Sequence, residues 1–132
     1  MAGLSKGGEA VSRHLWQIVL DGERPLSWNK FYSGRHWAVR AAEAERVHLL
    51  MLAHLPPDDD YTDCWPVRVV FTAYLAGRMM DADNLTAKLY LDGVKGTALL
   101  PDDDPRYLDS VTLRVRRDKL YPRVVIDFYS GE

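Results

Sequence analysis

The residues best suited to chemistry are acidic, in two short clusters on either side of one amphipathic segment. The first is Asp81-Ala82-Asp83-Asn84 and the second is Asp102-Asp103-Asp104. Carboxylates brought together repel one another unless a cation lies between them. Mg2+ and Mn2+ suit such a place, because they prefer oxygen ligands, keep several waters and take a few carboxylates plus substrate phosphate. Either cluster alone is a weak signal, since Asp-x-Asp occurs in many loops and an Asp triplet is usually a solvated turn. Between them lie Lys88 and, four residues on, Asp92. Read as one helix over residues 81–95, at about 100° per residue, Asn84, Lys88 and Asp92 fall within roughly 80° of one another. That is a narrow polar stripe on a largely apolar helix, costly to bury unless its groups are paired. The plainer reading of Lys88 and Asp92 is an i,i+4 ion pair at the surface edge.

The rest of the chain must supply elements that bring the two clusters together. Residues 14–20 are rich in β-branched and aromatic side chains and predict a strand. Residues 21–34 carry Gly, Pro, Ser and Asn and read as a loop. From residue 36 to 54 the pattern is helical, with Trp37, Ala41, Ala44, Val47, His48 and Met51 at three- and four-residue steps. Pro56-Pro57 ends it. Residues 66–75 predict a second strand. The segment 81–95 predicts a second helix, with Asp81 or Asp83 as its N-cap and Gly96 as its stop. Residues 107–116 and 122–129 alternate as strands, joined through Arg117–Tyr121 as a hairpin connection. The order β-α-β-α-β-β predicts a single α+β domain, its helices packed on one face of a mixed sheet. Residues 1–12 read as a flexible tail and 13–132 as the domain.

Composition sets bounds on function. With 47% hydrophobic and 27% charged residues in 132, the chain is an ordinary globular domain rather than a disordered or coiled-coil protein. One cysteine, Cys64, permits no internal disulfide, which suits a reducing, cytoplasmic location. Zinc is not expected, because Cys64, His14, His36, His48 and His54 have no ligand spacing. Asp58-Asp59-Asp60 lacks the Gly and distal Glu of a calcium loop. Trp16, Trp65 and Met79-Met80 read as packing residues. No segment is long and apolar enough to suggest a membrane span.

Taken together, DADNLTAKLYLDGV followed by LLPDDDP resembles the signature of the RusA family of Holliday-junction resolvases. Ser27-Trp28-Asn29-Lys30-Phe31-Tyr32 and Gly34-Arg35 are similar to that family's first loop. The resemblance covers roughly residues 14–129. It implies a Mg2+-dependent DNA endonuclease, with Mn2+ as a substitute, acting as a homodimer on branched DNA. It assigns Asp81, Asp83, Lys88 and Asp103 as catalytic. It assigns Asp81, Asp83 and Asp103, with Asp102 beside it, to the metal, and it gives Asn84 and Asp92 supporting roles. Three residues separate Asn84 from Lys88 where the family has two, and Asp92 is displaced likewise.

A nucleic-acid substrate needs positive charge, whereas the formal net charge is −2. Ten of the 19 acids lie in Asp58–Asp60, Asp63, Asp81, Asp83, Asp92 and Asp102–Asp104. The remaining nine face 17 Lys and Arg, an excess of eight positive charges. Asn29, Lys30, Phe31, Arg35 and Arg40 are the candidate DNA contacts, because basic residues interleaved with aromatics suit backbone grip and base stacking. A core or dimer contact is the competing reading of the aromatics. The second basic group, on the last strands, reads equally as a solvated sheet edge. Two other functions stay open: a branched-DNA-binding module of this fold without catalysis, and a metal-dependent enzyme acting on nucleotides or sugar nucleotides.

Overall fold

The computed structural model describes residues 12–32 and 37–131. Arg35 and His36 lie outside the described residues, as does the tail before Ser12. Four strands form one mixed sheet: β1 (His14–Asp21), β2 (Val67–Leu75), β3 (Leu108–Arg117) and β4 (Arg123–Tyr129). Three helices accompany it: α1 (Trp28–Tyr32), α2 (Trp37–Leu52) and α3 (Ala87–Val94). The result is the expected α+β domain.

The strand order is β1-β4-β2-β3, with β2 parallel to β3 and every other pair antiparallel. The expected hairpin between β3 and β4 is therefore not formed, because β2 lies between them. Burial explains this outcome. Val67, Val69, Phe71, Ala73 and Leu75 of β2 are all essentially inaccessible, so β2 belongs at the centre. β3 is largely exposed and carries Arg114, Arg116 and Arg117, which suits an edge. The chain leaving β3 passes over the end of β2, where the Asp118 N–H donates to the Leu75 carbonyl (3.0 Å).

Register aligns one apolar row across the sheet: Ile18 faces Ile126, which faces Phe71, which faces Leu113. Val47 and Met51 of α2 and Tyr90, Leu91 and Val94 of α3 join the same core. Tyr90 meets Phe71 with ring centroids 5.2 Å apart. The expected α2 stripe is packed only at its C-terminal end; Trp37, Ala41 and His48 are exposed. Gly93 lies against Met51 so closely that a Cβ there would stand 2.7 Å from the Met51 Cβ. Trp16 and Trp65 pack as expected, their indole N–H groups donating to the carbonyls of His54 and Leu99. Among the described residues, no helix is long and apolar enough to cross a membrane.

Two elements depart from the sequence reading. The segment 21–34 contains α1, begun by Ser27, whose Oγ accepts the Lys30 N–H (3.0 Å) as an N-cap does. The expected helix over 81–95 is interrupted. Ala82–Asn84 makes one 3-10 turn, Leu85 is extended, and α3 starts only at Ala87. Long-range hydrogen bonds account for the break. Ser27 bridges to Leu85, the Thr86 hydroxyl donates to the Leu26 carbonyl (2.9 Å), and the Asn29 N–H donates to Asn84 Oδ1 (3.2 Å). Neither Asp81 nor Asp83 caps α3. Gly96 does end it, with φ +97° just past the last turn.

Candidate functional site

The interruption at Leu85 divides the sequence-nominated residues between two neighbourhoods. Asp81 and Asn84 line a cleft of about 470 Å³ together with Asn29 and Lys30 from α1. Arg24 and Arg78 line the same cleft, over an apolar base that includes Met79 and Met80. Arg24 donates to the Arg78 carbonyl (2.8 Å), which joins the loop after β1 to the loop after β2. Among the described residues, the Lys30 ammonium and the Arg78 guanidinium form no ion pair. Asp83 does not line the cleft. The carboxylates of Asp81 and Asp83 make no hydrogen bond or ion pair to any described residue.

The second neighbourhood lies over α3. Lys88 Nζ is 3.3 Å from Asp92 and 3.6 Å from Asp103, and Lys95 is 3.8 Å from Asp103. The expected three-residue stripe is thus reduced to the i,i+4 pair, because Asn84 precedes the helix. Asp92, and after it Asp103, hold the Lys88 ammonium above its usual range, so it is a cation throughout the physiological range. Lys88, Asp92 and Asp103 border an apolar hollow of about 310 Å³ with Trp28, Leu91 and Val111.

The Asp triplet serves three purposes. Asp102 Oδ1 accepts the Asp103 N–H (2.8 Å), Asp103 meets the two lysines, and Asp104 pairs with Arg106 (2.8 Å). Hydrogen bonds from the Arg106 side chain, and then from its backbone, lower the Asp104 pKa below the usual carboxylate range. Of the aromatic candidates, Phe31 is buried, with Trp28 and Tyr32 edge-on to it at 5.7 and 5.0 Å. It is a packing residue of α1, and Tyr32, 62% exposed, is the aromatic that meets solvent. Arg40 lies over the Tyr32 ring at 5.7 Å.

Sequence reasoning missed Arg24 and Arg78, which carry no motif of their own. It also missed the support beneath them. The fully buried Tyr90 donates to Glu23 (2.6 Å), and Glu23 is paired with Arg46 (2.9 Å), which also meets Glu43. Burial, then the Glu23 contact, pushes the Tyr90 phenol far above its ordinary range. This network fixes the residue next to Arg24 against α2 and α3.

The carboxylates are hard oxygen donors, suited to Mg2+ or Mn2+ rather than to softer metals. Among the described residues, no three His, Cys, Asp or Glu side chains converge as a metal-holding group. Asp81 and Asp83 form no ion pair with a described residue, whereas Asp103 is engaged by two lysines. Of the acids nominated for a metal, Asp81 alone lines the cleft, and Mg2+ commonly takes one or two carboxylates with water and a phosphate completing its shell. No family model and no curated protein matches the chain.

Proposed function

We propose that this protein is a Mg2+-dependent, structure-specific endonuclease that hydrolyses phosphodiester bonds in four-way junctions or other branched DNA. It would act as a two-fold dimer in the cytoplasm, with Mn2+ able to substitute. The observation that carries this reading is the cleft. It gathers Asn29 and Lys30 from the first loop with Asp81 and Asn84 from the acidic motif, more than fifty residues away. Those are the segments on which the resemblance to the RusA family rests.

Asp81 and Asp83 would hold the metal, which when bound acidifies a water and offsets charge building on the phosphate. Lys30, Arg24 and Arg78 give the cleft three cations against one lining carboxylate, an environment that draws in a phosphodiester backbone. Asn84 positions α1, and hence Lys30, through the Asn29 N–H. Lys88 does not act as a base, because Asp92 and Asp103 keep it protonated. Two symmetric cuts in a junction call for two such sites, hence the dimer.

The test is nicking of a synthetic four-way junction in Mg2+ or Mn2+. The wild type is expected to cut, and Asp83→Asn to bind without cutting. A wild type that cuts no branched DNA with either metal refutes the enzyme reading. One observation favours a second reading, that of a junction-binding module without turnover: Lys88 and Asp103 are engaged with each other and with Asp92 and Lys95. Tight junction binding by the wild type with no product would select that reading.

A further inference from the structure

The cleft is not the end of the basic surface. Arg24 and Arg78 also line a second cleft, of about 460 Å³, whose other wall includes Tyr74, Gly77 and Pro122. Tyr74 lies on the sheet face turned away from the helical core, and its cross-strand partners are Arg116 on β3 and Arg123 on β4. The next row on that face carries Arg114, opposite Thr72. Arg114 and Arg116 are exposed, and neither forms an ion pair with a described residue.

The acids nearest this end already have partners; Glu23, which lines the second cleft, is paired with Arg46 and accepts the Tyr90 hydroxyl. Asp118 is paired with Arg123 (2.9 Å), and Asp21 accepts the Tyr121 hydroxyl. Asp127, farther along the face, is paired with His14 (2.8 Å). Arg123 is itself held, its guanidinium stacked on Tyr74 at 3.7 Å and Tyr121 at 4.3 Å. A positive track thus runs from the Asp81 cleft, over Arg24 and Arg78, past Tyr74, to Arg116 and Arg114 on the edge strand.

We propose that this track holds the sugar-phosphate backbone of a DNA arm leaving the cleft, with Arg114 and Arg116 as its distal phosphate contacts. The inference rests on the nuclease reading above for its substrate. Charge on an edge strand also deters strand-to-strand pairing. That role alone does not explain why Arg114 and Arg116 form no ion pair with a described residue and lie in line with Tyr74 of the second cleft.

The experiment measures binding of a synthetic four-way junction without divalent metal across a salt series, for wild type, Arg114→Gln/Arg116→Gln and Arg114→Lys/Arg116→Lys. The Gln double variant is expected to flatten the slope of log affinity against log salt by about two. The Lys double variant should keep the wild-type slope, and Arg106→Ala, outside the track, should leave it unchanged. Thermal unfolding confirms that the variants fold. A Gln double variant with the wild-type slope overturns the track while leaving the cleft reading intact. A wild type that binds no branched DNA overturns both.

Discussion

The cleft at Asp81 and the cluster at Lys88 hold similar side chains in opposite electrostatic states. In the cleft, neither Asp81 nor Lys30 nor Arg78 forms an ion pair with a described residue. Over α3, two lysines and two aspartates neutralise one another at 3.3 to 3.8 Å. Residues that look equivalent in a motif are separated by one extended residue, Leu85, and that separation decides which are available for chemistry. The contrast teaches that a carboxylate's role depends on what already satisfies it, not only on its place in a motif.

The strongest way to break this contrast is to compare one acid from each side. Asp81→Asn is expected to lower junction cleavage on the order of a hundredfold, whereas Asp92→Asn costs less than about tenfold. Equal losses in steady-state cleavage would mean that both neighbourhoods form one site. Next in size is the scaffold they share. Gly93→Ala pushes a methyl into Met51 and is expected to destabilise the fold by about 1–3 kcal/mol, read by urea unfolding.

A smaller effect separates the cleft from the α3 cluster. Ser27→Ala removes the cap of α1 and is expected to cost about 1 kcal/mol of stability. It should weaken junction binding through Lys30 while leaving the Lys88 titration, followed by NMR, unchanged. The smallest effect belongs to the half-exposed Lys88–Asp92 pair, expected to contribute about 0.3–0.5 kcal/mol. Lys88 has a folded pKa above its unfolded value, so this contribution is complete below the ordinary lysine range. It is lost as pH rises through the raised value. The stability difference between wild type and Lys88→Met should therefore be flat near neutrality and shrink only in strong alkali.

The division between legible and hidden features follows the range of the interactions. The strands were readable because apolar and aromatic runs such as PVRVVFTAYL signal a sheet locally. The α3 segment was readable in its apolar face and in Gly96. The break at Leu85 was not, because it depends on Leu26, Ser27 and Asn29, some sixty residues back. Once that break is known, Asn84 becomes a positioning residue for α1 rather than part of a helical stripe. The supposed β3–β4 hairpin failed because a short polar connection looks the same whether it joins neighbours or steps over a central strand. Ser27 followed by Trp-Asn-Lys-Phe-Tyr did carry the signal for α1, an N-cap before a short amphipathic turn that buries Phe31. Arg24 and Arg78 were invisible, since their meeting depends on two loops that follow different strands.

The most direct test of the contrast is the position of Mn2+, located by its anomalous scattering in crystals of the protein bound to uncleaved junction DNA. The expected result is Mn2+ beside Asp81, in the cleft that also contains Lys30 and Arg78. Mn2+ held by Asp92 and Asp103 over α3, with the Asp81 cleft empty, would contradict it.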